Sequence, residues 1–164
     1  MKKKLVFITV ILISIVFSGC VTINNKPSNN KPSYIRVQSD EIIRCFDEKD
    51  AEGLKALFCQ NSIDYYDIDS EIQNAFDLYE GESVSYKIFS NGGCAGGMQD
   101  GIWYDKHYTP EIRYIKTNCG RGYAIGYCTY EVYEKDEGKV GICVIALRDD
   151  NGNQLAAIGG FEWE

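Results

Sequence analysis

The chain carries one histidine in 164 residues, and it falls in the densest run of chemically capable side chains, Trp103-Tyr104-Asp105-Lys106-His107-Tyr108. An imidazole beside a carboxylate can move protons near neutral pH, and apolar surroundings tune such groups for acid–base work. Any Ser-His-Asp or Cys-His nucleophile would also have to pass through His107, because no second imidazole can serve as its base. Asp105 and His107 are therefore the candidate proton-transfer pair, and Trp103, Tyr104 and Tyr108 the candidate binding residues. The competing reading leaves no catalytic residue: the rings pack, and Asp105 and His107 face water. The setting of His107, between Lys106 and Tyr108 and close to Pro110, predicts a connection or strand end near the surface.

Other constellations reduce to structure. The glycine-rich run Asn91 to Gly101 lacks the Gly-Lys-Ser/Thr end of a phosphate loop and precedes strands where such a loop opens a helix. It is expected to be a mobile loop. Asp149, Asp150, Asn151 and Asn153 have calcium-loop residue types but no glutamate at the twelfth position, and Asn151-Gly152 is a hairpin signal. Seven cysteines are present, with no Cys-x-x-Cys pair and only His107 to complete a site. No zinc, other metal or cofactor is expected. A turn at Lys135 to Gly138 would set Cys143 opposite Tyr130 and Cys128 diagonal to Cys143, at about 7–8 Å. That exceeds the usual disulfide span, although a turn slipped by one residue on each side would set the two directly opposite; they are expected as neighbouring free thiols on one sheet face.

The N-terminus has its own signature. Lys2, Lys3 and Lys4 precede an apolar run from Leu5 to Phe17, which closes on Phe17-Ser18-Gly19-Cys20. At about 1.5 Å per residue such a run reaches about 20 Å, short of a hydrocarbon core of about 30 Å. It reads as a secretory leader rather than a span. Cysteine directly after Ser-Gly resembles the bacterial lipobox. The resemblance implies removal of residues 1–19 and a diacylglyceryl thioether on Cys20, with palmitate-type chains. Two such chains hold a protein at a membrane durably. The expected location is the extracytoplasmic face of the cell membrane, with the membrane itself the partner of Cys20. Loss of the three lysines would move the net charge from −7 to about −10, which argues against nucleic acid and against electrostatic adhesion to anionic lipid. Residues 20–33 hold a tandem Asn-Asn-Lys-Pro-Ser repeat with no apolar periodicity and read as a disordered tether. Residues 34–164 are long enough for one ordinary domain.

Three helices and a meander are predicted to position the candidate residues. Ser39 reads as the cap of a first helix that buries Ile42, Ile43, Cys45 and Phe46. Asp50 caps a second helix with Ala51, Leu54, Leu57 and Phe58 as its stripe. A third runs from about Ile68 to Glu80, and Gly81 stops it. After Gly81 the apolar period becomes two. Strands are expected at Val84 to Ser90, Ile112 to Thr117, Tyr123 to Glu134, Val140 to Leu147 and Leu155 to Trp163, with a bend at Gly159-Gly160. Short turns make the sheet antiparallel, so the fold class is α+β, with helices on one face and an aromatic-rich face opposite.

The stretch Ile42 to Phe58, including Asp50-Ala51-Glu52-Gly53-Leu54, resembles the opening helix pair of the nuclear-transport-factor-like or cystatin-like cone folds. With the lipobox, and with Tyr114-Ile115-Lys116-Thr117 leading into a tyrosine-rich strand, the whole resembles a family of uncharacterised lipoproteins of Gram-positive type. That resemblance implies a curved sheet around an internal pocket and brings no established activity. The expectation is a lipid-anchored surface protein with a non-catalytic binding or accessory role toward a small ligand or protein partner. The alternative is a small pocket enzyme of dehydratase or isomerase type using Asp105 and His107.

Overall fold

A computed structural model describes residues 33–89 and 95–162. The expected leader, Cys20, the repeat before Ser33 and Cys94 lie outside the described residues. Four helices come first, where three were expected: α1 (Tyr34–Glu48), α2 (Ala51–Lys55), α3 (Gln60–Tyr65) and α4 (Ile68–Leu78). Seven strands follow: β1 (Ser83–Phe89), β2 (Ala95–Gln99), β3 (Ile102–Tyr108), β4 (Glu111–Thr117), β5 (Gly122–Tyr133), β6 (Gly141–Asp149) and β7 (Gln154–Gly159). All pairings between them are antiparallel and form one open sheet, so the chain is a single-domain α+β protein.

The helix boundaries follow from capping. Ser33 accepts from the Arg36 amide, Asp50 from Gly53 and Asp67 from Ser70, each satisfying an amide that the first turn leaves open. Ser39 is not a cap. It lies inside α1, fully buried. α2 stops at Lys55, and a turn at Ala56-Leu57 delivers Phe58 to Ile142, with which it pairs as a parallel bridge. α3 went unforeseen because its six residues contain only Ile63 as an aliphatic, too little to show a 3.6-residue period. At its C-terminus α1 ends on Lys49 in the left-handed region, and the Lys49 ammonium donates to the carbonyls of Phe76 and Tyr79 at 2.6 and 2.5 Å. A cation there suits the negative end of α4.

The sheet has seven strands but only five ribbons. β3 and β4 lie in line along one edge of β5. The pairs Tyr108↔Thr129 and Glu111↔Gly126 keep one register across Thr109-Pro110. Pro110 has no N–H to donate, which interrupts the ladder, while its carbonyl still accepts from the Tyr127 amide at 3.1 Å. β1 and β2 are likewise in line, on β4 and β3 respectively. The expected five-strand meander is thus corrected by one hairpin, β2–β3. Ala95 to Gln99 is a strand rather than a mobile loop, because Gly97 lets the Tyr104 ring lie where a Cβ would stand 2.1 Å from it. A glycine that serves close approach reads in sequence as a loop glycine.

One face of the sheet is filled by the helices. Tyr123, Ile125 and Tyr127 alternate inward along β5 and join Ile42, Phe46, Leu54, Ile72, Ile112, Ile145 and Ile158 in a single buried cluster. A second, smaller cluster lies at the β5–β6 end, where Cys59, Cys128, Tyr130 and Cys143 meet. The opposite face at mid-sheet is built from small residues, Ala124 and Gly126 on β5 and Ala146 on β6, rather than from the expected rings.

Candidate functional site

A groove crosses this helix-free face. One stretch of about 390 Å³ is lined by Glu111, Arg113, Tyr114, Ala124, Gly126 and Arg148 among others. It shares Glu111, Gly126 and Arg148 with an adjoining cleft of about 200 Å³ that runs over Cys128, Val144 and Ala146. The floor is shallow because its side chains are small. At Gly126 an added Cβ would meet Arg148 Nη1 at 3.4 Å and Glu111 Cγ at 3.7 Å.

The polar wall is a row of three charged groups. Glu111, 23% exposed, accepts from the Arg113 guanidinium and lies 3.5 Å from Arg148 Nη1. Two guanidiniums on one carboxylate leave donors free to turn to a planar oxyanion or amide. Asp149 is not available to such a ligand. It accepts from the Asn151 and Asn153 amides and the Asn153 side chain at 2.8–2.9 Å, which fixes the hairpin and holds its carboxyl below the usual carboxylate range.

The aromatic wall is Tyr114. Its φ is +56°, in the left-handed region, at a bulge between Ile112 and Ile115. A bulky residue there is a true outlier, and bulges commonly re-aim a side chain. The ring is 61% exposed, meets Phe89 edge-on at 6.0 Å and has the Lys87 ammonium at 5.8 Å. Arg113 also lies over Phe89, with its guanidinium carbon 5.3 Å from the ring centroid. Sequence reasoning missed this site: Glu111, Arg113 and Arg148 gave no motif, and only the residue types of Tyr114-Ile115-Lys116-Thr117 stood out.

The Trp103–Tyr108 cluster is β3 itself, with His107 one residue short of its C-terminal end, so the strand end that was expected is found and the connection is not. Asp105 Oδ1 lies 3.0 Å from His107 Nδ1, so a carboxylate stands beside the imidazole as an acid–base pair requires. The pair is half-buried, with side chains 26% and 27% exposed, and His107 stacks on Tyr130 at 4.9 Å. Neither residue lines the groove. Strand alternation sends Lys106 and Tyr108 the other way, where both contact Glu131, at 2.6 and 2.8 Å. Trp103 has Lys106 at 5.9 Å, and Tyr104 edges a more open depression with Gln99, Glu134 and Lys135. The five candidates are thus not gathered around one point.

Cys128 and Cys143 share one small cluster, as expected, but by a different register. Cys128 pairs with Val144, and a bulge then carries Cys143 out of the ladder and against Cys59, with the sulfurs 3.7 Å apart. Cys45, Cys59, Cys119, Cys128 and Cys143 are free thiols. Among the described residues, no three His, Cys, Asp or Glu side chains converge to hold a metal ion, and no helix is long and apolar enough to cross a membrane.

No curated protein matches the chain. A family model described as a domain of unknown function, DUF5104, matches residues 41–150, which span α1 from its second turn through β6 and include the whole polar row of the groove, and the chain belongs to that family.

Proposed function

We infer that this domain is a non-catalytic binding module, displayed outside the cell membrane by lipid on Cys20 and related to the nuclear-transport-factor-like cones. Its ligand would lie in the groove on the helix-free face, with an apolar or planar part on Tyr114 and a polar end on Arg148, Glu111 and Arg113. The observation that carries this reading is Tyr114 itself. Holding tyrosine in the left-handed region costs about 1–2 kcal/mol, and a ring 61% exposed recovers little of that by packing. Such strain is retained where an aromatic has to be aimed at something.

A second reading rests on the 3.0 Å contact of Asp105 with His107, which suits proton transfer of the dehydratase or isomerase sort. An NMR fragment screen separates the two. Binding fragments should shift the amides of Arg113, Tyr114, Gly126 and Arg148, and the shifts should vanish in Tyr114→Asn. Hits that cluster on Asp105 and His107 instead would replace the binding reading with the enzymatic one.

A further inference from the structure

We propose that Cys59 and Cys143 form a redox-active dithiol, which an external organic disulfide converts to an intramolecular disulfide in the folded protein. The two sulfurs lie 3.7 Å apart although the residues are 84 positions apart in sequence. Their placement is built by backbone. Phe58 and Ile142 pair as a parallel bridge, closed by the Cys59 amide on the Ile142 carbonyl at 2.8 Å and the Ile142 amide on Leu57 at 2.9 Å. Parallel strands run about 4.8 Å apart, a spacing inside the Cα window a disulfide accepts, and Cys59 and Cys143 are the residues that directly follow this bridge.

Two glycines make this approach possible. Gly141, at φ +124°, would bring a Cβ to 2.9 Å from the Cys59 nitrogen, and Gly159, at φ +72°, would bring one to 2.3 Å from the Cys143 carbonyl oxygen. The β-bulge that expels Cys143 from the β5–β6 ladder completes the juxtaposition. Ser62 Oγ donates to the Cys143 carbonyl at 2.9 Å and lies 3.3 Å from Cys59 Sγ, so one hydroxyl holds both sides.

Cys59 sits on the linker before α3, whereas Cys143 lies in β6, which is paired on both edges, so Cys59 is the sulfur that a local opening presents. The Cys143 thiol beside it lowers the Cys59 pKa, while contact with the Cys59 sulfur, and burial, push Cys143 up. Cys59 as thiolate attacks one sulfur of the external disulfide. That S–S bond breaks, and the departing thiolate takes up the proton Cys59 released. Cys143 then loses its proton and attacks Cys59 Sγ, expelling the second external thiolate, which is protonated in turn. Two thiols of the chain become one disulfide, and one external disulfide becomes two thiols. Both cysteines are fully buried, so the first attack proceeds through opening of the linker between α2 and α3. That segment joins helices of five and six residues and is clamped by the single bridge, the kind of region that opens locally without global unfolding.

The test is exposure of the folded, full-length chain to oxidised glutathione, followed by alkylation and peptide mapping. The expected result is a Cys59–Cys143 linked peptide with Cys45 and Cys128 still alkylated. The thermal midpoint should rise by about 5 °C or more and fall back with dithiothreitol. In Cys143→Ser, glutathione should remain trapped on Cys59. Should wild-type Cys59 and Cys143 both be alkylated after exposure, or Cys143 be found linked to any other cysteine, the proposal is overturned. The wild-type map decides this even if the variant does not fold.

Discussion

The hydroxyls of Ser39 and Tyr127 lie 2.8 Å apart, both buried and 88 residues apart in sequence. Tyr127 Oη also approaches the Ile35 carbonyl at 3.2 Å. Together these contacts bolt α1 to the middle of β5. Tyr127→Phe leaves Ser39 without its partner inside the core, and Ser39→Ala does the converse. Each should cost about 1–3 kcal/mol, with the double variant losing less than the sum. Urea unfolding of the four proteins checks this, and strict additivity would show that the pair is not coupled.

Gly126 offers a way to fill the groove without replacing any residue of its polar row. Its φ is not in the left-handed region, and an added Cβ makes only ordinary contacts. Gly126→Val should change stability by less than about 1 kcal/mol while abolishing fragment binding at Arg148 and Tyr114. Binding that survives the substitution would place the ligand elsewhere.

Gly141 and Gly152 make a matched pair for backbone strain. Both have positive φ, but a Cβ at Gly152 meets nothing within 4 Å, whereas one at Gly141 stands 2.9 Å from the Cys59 nitrogen. Gly152→Ala should cost about 1 kcal/mol and Gly141→Ala more than about 2, because the second adds a clash with backbone that cannot move freely. Equal losses in denaturant midpoints would contradict the tight approach.

Alkali should unfold the protein through its buried phenols. Burial pushes Tyr79 up, with the Asp47 carboxylate adding to it, and burial likewise raises Tyr127 against the opposing hydrogen bond from Ser39. A phenol that titrates near 10 when unfolded but higher when folded stabilises the native state fully below about pH 10. That stability is lost as pH rises beyond it, at up to about 1.4 kcal/mol per pH unit for each phenol. Denaturant midpoints at successive pH values should therefore fall above pH 10. Phenolate absorbance that reaches the full tyrosine count while circular dichroism stays native would refute it.

The proposed lipid anchor makes a prediction that the fold does not. If Cys20 carries the lipid, the protein should sediment with membranes, and Cys20→Ser should yield an uncleaved or released form. Unchanged processing and partition in that variant would remove the anchor from the proposal.

What was legible in the residues is what depends on near neighbours. The Asp50 cap, the start of α4 at Ile68, the Asn151-Gly152 hairpin and the alternation that turns Tyr123, Ile125 and Tyr127 inward all rest on spacings of two to four residues. Such spacings act through one turn of helix or one pleat, so they are written in the chain itself. The Asp105–His107 contact was within reach for the same reason, as two residues apart on one strand share a face.

The remainder depended on register and on distant partners. Ser39 reads as a cap until Tyr127 claims it, and Gly97 reads as loop until Tyr104 covers it. The left-handed Tyr114 and the displaced Cys143 both come from bulges, where one extra residue on one strand shifts what stands opposite on the other. A bulge leaves no local signal in side-chain pattern, because it is decided by how two strands settle their hydrogen bonds and buried faces together. Tertiary pairing alone therefore produced the groove on the helix-free face and the contact between Cys59 and Cys143.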